Sequence, residues 1–125
     1  MIVGIGVDIV EISRVQGLLE KFGNRFIERI LTPKEVEEFN RRKCPTSFLA
    51  SRFSAKEALA KALGTGIGKE VSFKNIQIEN DKRGKPGFIF FAGTKTFLNG
   101  KGVHNILLSL SDEEHYAVSM VVLES

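Results

Sequence analysis

The stretch Ser47-Phe48-Leu49-Ala50-Ser51-Arg52-Phe53-Ser54-Ala55-Lys56-Glu57-Ala58-Leu59-Ala60-Lys61-Ala62-Leu63-Gly64 decides the fold. It is rich in alanine and leucine, the strongest helix formers, and carries no glycine or proline before Gly64. Leu49, Phe53, Leu59, Ala62 and Leu63 recur at helical spacing, so the segment predicts a core helix. Thr46 is expected to cap its start, and Gly64 to end it. Just upstream, Thr32-Pro33-Lys34-Glu35 offers a cap, a proline at the first helical position and a glutamate three residues after the cap. That pattern predicts a helix running to about Arg42, stopped by the approach to Pro45.

Working outward, shorter helices are expected around Arg14–Phe22 and Phe26–Leu31, parted at Gly23 and Asn24. Residues Ile2 to Val10 are dense in Ile and Val but interrupted by Gly4 and Gly6. They read as a strand bent or closely approached at its glycines, with Asp8 near its end. Beyond Gly64-Thr65-Gly66-Ile67-Gly68, a loop, Val71–Glu79 and Gly87–Phe91 predict a hairpin turning at Arg83-Gly84, with Pro86 at the second strand's start. A short helix over Gly93–Gly100 and an antiparallel pair, Asn105–Leu110 with Tyr116–Leu123, complete the expectation. No linker, repeat or low-complexity run is visible, so residues 1–125 read as one α+β domain, an antiparallel sheet packed with a long central helix.

A chain of 125 residues, 42% hydrophobic and 26% charged, can bury one core but has little interior for an enclosed, enzyme-sized cavity. A catalytic site is therefore expected in a shallow cleft or across a subunit boundary. The net charge of +3 conceals an asymmetry: Arg14 to Lys61 holds eleven basic and six acidic residues, net +5, and the remainder is net −2. Such a region suits an anionic partner, either nucleic acid, a phosphorylated small molecule or an acidic protein surface, although a solvated helix face is the plainer alternative. The single cysteine, Cys44, cannot form an internal disulfide and points to a reducing compartment. Ile2 to Ile12 contains Asp8 and Glu11 and reads neither as a signal peptide nor as a membrane span, so cytoplasmic residence is the expectation.

Asp8 and Glu57 stand in apolar or alanine-rich surroundings that carboxylates rarely enter unpaired. If the strand end meets the helix, the two supply hard oxygen ligands for Mg²⁺, with phosphate and water filling its octahedron. Lys61 shares a helix side with Glu57 and could bind phosphate or move a proton. The ordinary alternatives are an i,i+4 ion pair between Glu57 and Lys61, worth about 0.2–0.5 kcal/mol, and a turn or cap role for Asp8. The glycine loop could offer N–H groups to phosphate, but it is neither a Walker nor a Rossmann sequence. His104, His115 and Cys44 lack zinc-site spacing. Ser109 and Ser111 could touch phosphate or simply line an exposed strand face.

These residues join into a pattern that resembles the small phosphopantetheinyl transferase family, in its holo-acyl-carrier-protein synthase branch. Gly6-Val7-Asp8-Ile9-Val10-Glu11-Ile12 with Arg14 is similar to the family's first motif, and Arg52 through Ala62 to its second. The likeness continues through Gly64-Thr65-Gly66-Ile67, Gly84-Lys85-Pro86, Ser109-Leu110-Ser111-Asp112 and Tyr116-Ala117. It implies the family's fold and transfer of 4′-phosphopantetheine from coenzyme A to a serine of apo acyl carrier protein, releasing adenosine 3′,5′-bisphosphate. It also implies Asp8 and Glu57 as Mg²⁺ ligands, Lys61 as a phosphate contact, and a metal-held water, Lys61 or a carboxylate as base. Lys43, Arg52, Lys61, Gly64, Thr65, Gly66, Lys85, Pro86 and Ser109 are implied as coenzyme A contacts. Arg14, Lys21 and Arg25 resemble a docking surface for the acidic carrier. The resemblance further implies a homotrimer with sites at subunit boundaries, Glu57 and Lys61 from one subunit and Asp8 from its neighbour, and no nucleic-acid or membrane partner. Many members carry histidine directly after the Ser-x-Ser segment; this chain has Asp112 there and His115 three residues on, so that histidine's role is not carried over.

The competing reading is a non-catalytic basic module for RNA or another anion, motivated by the net +5 region. No nucleic-acid-binding signature supports it, and the phenylalanines do not interleave with basic residues on a strand platform. An inactive homologue kept for interaction is a third reading, opposed by the intact Asp8, Glu57 and Lys61.

Overall fold

The computed structural model describes residues 1–125. Strand β1 (Ile2–Glu11) runs directly into helix α1 (Ile12–Phe22), and α2 (Asn24–Ile30), α3 (Pro33–Arg41) and α4 (Pro45–Leu63) follow. A 3₁₀ turn at Phe73–Asn75 leads into strands β2 (Ile76–Asn80) and β3 (Pro86–Phe90), then helix α5 (Thr94–Gly100) and strands β4 (Asn105–Asp112) and β5 (Tyr116–Glu124). The expected α+β class is present, as two antiparallel sheets: three strands in the order β1-β5-β4, and the separate hairpin β2-β3. No helix is long and apolar enough to cross a membrane.

Helix α4 is the axis on which both cores are built. Its C-terminal half places Ala55, Ala58, Leu59 and Ala60 among Ile76, Leu98, Val121 and Leu123. Its N-terminal half places Phe48, Leu49 and Ala50 against Val15, Ile30 and Leu31. Leu31, Leu49, Leu59 and Ile76 are fully buried, and each such side chain contributes about 1.5–3 kcal/mol. Because α4 is covered on several sides, the apolar stripe read from its sequence is only part of what it buries.

The approach of α4 to β1 depends on two glycines. A Cβ on Gly6 would lie 2.1 Å from the Ala58 carbonyl oxygen, and one on Gly4 would lie 2.5 Å from that of Ala62. Gly4 and Gly6 occupy the strand face turned to the helix, where any side chain would force the two backbones apart. Asp8 is the next residue on that face, so the same packing delivers it to α4.

Two local expectations are corrected. Thr46 does not cap α4: Cys44 holds the cap position, Pro45 starts the helix, and the Thr46 hydroxyl donates instead to the Gln16 side chain. Val71–Glu79 is not one strand, because the chain tightens into the 3₁₀ turn and ladder pairing begins at Ile76. At α3 the sequence signal holds in detail: the Thr32 hydroxyl accepts from the Glu35 N–H at 3.4 Å, and Glu35 accepts from the Thr32 N–H at 3.0 Å.

Candidate active site

Where β1 ends against the middle of α4, Asp8, Glu57 and Lys61 line one cleft of about 330 Å³, together with Arg14, Phe26 and Phe53. The Lys61 ammonium donates to Asp8 Oδ1 at 3.0 Å and to the Val7 carbonyl at 3.2 Å. It does not form the i,i+4 ion pair with Glu57, because Asp8 offers a more buried carboxylate beside a backbone oxygen. The Asp8 side chain is 13% exposed and that of Lys61 54%. On the helix side, the Ser54 hydroxyl donates to the Asp8 carbonyl at 3.1 Å, tying the strand end to α4.

Two features make this cleft chemically unsatisfied. Asp8 Oδ2 is buried and has no hydrogen-bond partner. Glu57 makes no ion pair, and its carboxyl is raised above the ordinary value by burial first and by the Asp8 charge second, with Lys61 opposing both. A buried carboxyl whose ionisation is opposed by a neighbouring acid, beside an acceptor oxygen with no partner, forms a place for a cation. Glu57 also lines an adjoining groove of about 400 Å³, walled by Leu18, Phe22, Phe26, Ile30, Phe53 and Phe73, with Arg25 and Arg29 at its rim. Phe53 and Phe73 stack there with centroids 5.6 Å apart.

A second pocket, about 350 Å³, gathers Arg42, Lys43, Ser47, Ser51, Arg52 and Asp112. Phe48 carries two guanidinium groups, Arg52 at 4.4 Å and Arg42 at 4.9 Å from its ring centre. Burial lowers the Arg52 pKa from its ordinary value, opposed by the charges of Glu38 and Glu35. Three cations around a small polar opening suit an anion such as phosphate.

A family model described as the 4′-phosphopantetheinyl transferase superfamily matches residues 4–121. The chain belongs to this superfamily. It is 50% identical over 124 residues to the holo-[acyl-carrier-protein] synthase of Shewanella frigidimarina, across 99% of this chain and 98% of that one. The crystal structure of the Neisseria meningitidis holo-[acyl-carrier-protein] synthase superposes with a TM-score of 0.97 at 48% identity, covering both chains fully. That of the Helicobacter pylori synthase in complex with coenzyme A gives 0.84 at 32% identity, covering 96% of this chain and 99% of that one. This phosphopantetheinyl transferase is therefore an enzyme, and the reading as a basic binding module gives way.

Within this transferase a single chain brings Asp8, Glu57, Lys61 and Arg14 together. The expectation that Asp8 reaches Glu57 and Lys61 from a neighbouring subunit is corrected: the glycine face of β1 lets its own α4 settle onto it. Arg25 stands on the adjoining groove, and Lys21 lies over Phe22 at 5.2 Å from the ring centre. Lys43 and Arg52 share the second pocket. Gly64 adopts a left-handed conformation, φ 75°, at the end of α4, and the N–H groups of Thr65 and Gly66 both bond the Ala60 carbonyl. Lys85 and Pro86 sit at the β2-β3 hairpin, and Ser109 is exposed on the outer sheet face. None of Gly64, Thr65, Gly66, Lys85, Pro86 and Ser109 lines the Asp8 cleft of its own chain. Sequence reading missed the aromatic groove, whose walls come from four separate elements, and it missed Asp112 beside Arg52. The spacing of Phe22, Phe26, Phe53 and Phe73 carries no local signal that they converge.

Proposed function

We propose that this transferase moves the 4′-phosphopantetheine arm of coenzyme A onto a serine hydroxyl of an apo acyl carrier protein, with Asp8 and Glu57 as the protein ligands of Mg²⁺. The observation that carries the reading is the buried, partnerless Asp8 Oδ2 in the same cleft as the unpaired Glu57. Two hard carboxylates without a third acid, histidine or cysteine suit Mg²⁺, which takes one or two carboxylates and completes its shell with phosphate and water. When bound, the ion stabilises the negative charge that builds on the pyrophosphate as its bridging bond breaks.

The serine hydroxyl loses its proton to a carboxylate or water of the cleft, its oxygen bonds to the phosphorus bearing the pantetheine arm, the bond from that phosphorus to the bridging oxygen breaks, and adenosine 3′,5′-bisphosphate leaves with the electron pair. Lys61, at the mouth of the cleft, holds phosphate oxygen by charge. Asp8 and Glu57 would hold the ion at the point where β1 meets α4, and it would offset the charge of the donor's phosphates there. Lys43 and Arg52 bind the donor's remaining phosphate in the second pocket. Arg14, Lys21 and Arg25 face an acidic carrier, speeding encounter and making it salt-dependent. The unpaired, exposed Cys44 fits a reducing cytoplasm.

The working form is a homotrimer. The outer face of the three-stranded sheet exposes Ile5 (65%), Val7 (59%), Ile9 (63%) and Met120 (48%), an apolar surface unlike that of a free monomer. The accessible area, 7472 Å², exceeds the roughly 6,700 Å² that scaling assigns to a monomer of this mass. Ser109 lies on this face, so assembly brings it to a boundary between copies.

Incubation with coenzyme A, Mg²⁺ and an apo carrier, followed by intact mass measurement, should show one phosphopantetheinyl group added to the carrier. No addition under conditions in which a related synthase works overturns the activity. Light scattering should return three times the 13.9 kDa chain mass; a monomer overturns the assembly.

A further inference from the structure

Arg52 is the only buried arginine of the chain, and hydrogen bonds do little to hold it. Its Nε is buried without a partner, and the one carboxylate within reach, Glu38 Oε2, stands 3.7 Å from Nη2, beyond hydrogen-bond length. A charge taken out of water needs some other partner. What meets it is the ring of Phe48, whose centre is 4.4 Å from the Arg52 guanidinium carbon. The guanidinium of Arg42 lies over the same ring at 4.9 Å.

Local sequence accounts for this arrangement. Phe48 and Arg52 are four residues apart on α4 and so share one side of the helix. Arg42 closes α3, and the short turn through Lys43 and Cys44 leads to Pro45 at the start of α4. Phe48 belongs to the core cluster of Val15, Leu49 and Ala117, so packing fixes its ring. The two arginines repel one another: burial lowers the Arg52 pKa most, Glu38 and Glu35 oppose it, and the Arg42 charge lowers it further. Glu38 Oε2, which accepts from Arg42 Nη2, offsets part of that repulsion, and the negative face of the ring offsets more. Arg42 is 46% exposed and could turn to solvent, yet it stays at the ring. Both cations, with Lys43 beside them, therefore line one opening in which Asp112 is the only acid.

We infer that Phe48 is a positioning residue whose ring gathers Arg42 and Arg52 at the second pocket, and that it thereby sets the preference for a donor bearing a phosphate on its ribose over one without. Phe48 acts through the two arginines, and Arg42 joins Lys43 and Arg52 as a contact for that phosphate. The inference rests on the reading of this pocket as the seat of the donor's remaining phosphate. An arginine held over a ring keeps its fork in one orientation, which a free side chain does not.

The test compares coenzyme A with 3′-dephospho-coenzyme A, each with Mg²⁺ and apo carrier. It reads the ratio of the two kcat/KM values, which does not depend on how much of a variant is folded. Phe48→Leu and Phe48→Met, apolar but without a ring, should each reduce the preference for coenzyme A about tenfold, through KM with kcat unchanged. Phe48→Tyr, which keeps the ring, should hold it within about threefold. A residue that serves only the core predicts a lower unfolding temperature in the Leu and Met variants with the donor preference unchanged, and that result overturns the inference. Arg52→Met separates this failure from failure of the pocket reading. If it loses the preference while the Phe48 variants keep it, only the role of Phe48 falls. If the unaltered enzyme shows no preference, or Arg52→Met retains it, the pocket does not hold that phosphate and the Phe48 inference falls as well.

Discussion

Helix α4 carries two lysines that each meet a carboxylate, and the two pairs are built in opposite ways. Lys56 is 0% exposed and donates to Glu35 Oε1 at 2.6 Å, to the Ile30 carbonyl at 2.7 Å and to the Phe73 carbonyl at 3.0 Å. Glu35 in turn accepts from the backbone N–H groups of Thr32 and Ile78 at 3.0 and 2.9 Å. All three ammonium protons and both carboxylate oxygens of that pair are engaged, and it fastens α2, α3, α4, the 3₁₀ turn and β2 to one another. Lys61 and Asp8 are half open: the lysine is 54% exposed, Oδ2 has no partner and Glu57 stands alone beside them. A closed ion pair has nothing left to give a ligand and serves geometry; an open one retains free acceptors and serves chemistry. Ile30 and Phe73, whose carbonyls Lys56 holds, also wall the aromatic groove beside Glu57, so the closed pair shapes the open site.

The contrast breaks most sharply under substitution. Lys56→Met leaves Glu35 charged and buried and should cost about 3–5 kcal/mol in urea unfolding. Lys61→Met should move stability by no more than about 0.5 kcal/mol, since an exposed lysine loses little. Equal losses at the two sites would erase the distinction. Activity should invert the order: Asp8→Asn or Glu57→Gln is expected to lower kcat/KM on the order of 100-fold, about 2.7 kcal/mol, without lowering the unfolding midpoint. A kcat/KM within a few-fold of the unaltered enzyme removes that residue from the site.

Gly6→Ala probes the packing that both regions share. Its new methyl would meet the Ala58 carbonyl, and overpacking of this kind costs about 1–3 kcal/mol. Separation of β1 from α4 should also lower activity beyond the stability loss, and a variant with normal turnover would show that the close approach is dispensable. The smallest effect is on pH. Because the folded-state pKa of Glu57 is raised, its contribution to stability is present below the ordinary glutamate value of 4.5 and is lost as pH rises through the raised value. Glu57→Gln should flatten the unfolding temperature across that window, and an unchanged slope would show that neither burial nor Asp8 strains the carboxyl.

Local signals were legible wherever a few adjacent residues decide the outcome. The Thr32–Glu35 capping box, Pro45, Gly64 and the hairpin through Gly84 all act within a turn of chain. Thr46 was misread because a cap is set by which residue first leaves helical geometry, and Pro45 enters one position earlier. Val71 has strand composition, yet it is buried in the core beside Leu59 and Leu98, and the chain turns at Phe73–Asn75 before ladder pairing begins at Ile76. The spacing Gly4-x-Gly6-x-Asp8 did announce a close approach, but not which element would make it.

By itself the sequence determined the central helix, the strand ending in Asp8, the motifs of the transferase family and the concentration of positive charge, because these rest on propensity, period and residue identity. Only the tertiary structure decided that Lys61 pairs with Asp8 across 53 positions rather than with Glu57 four residues away. It also decided that β1 comes from the same chain. Those outcomes depend on which acceptor is nearest and most buried once α4 lies on the glycine face of β1, and chain spacing does not encode that distance.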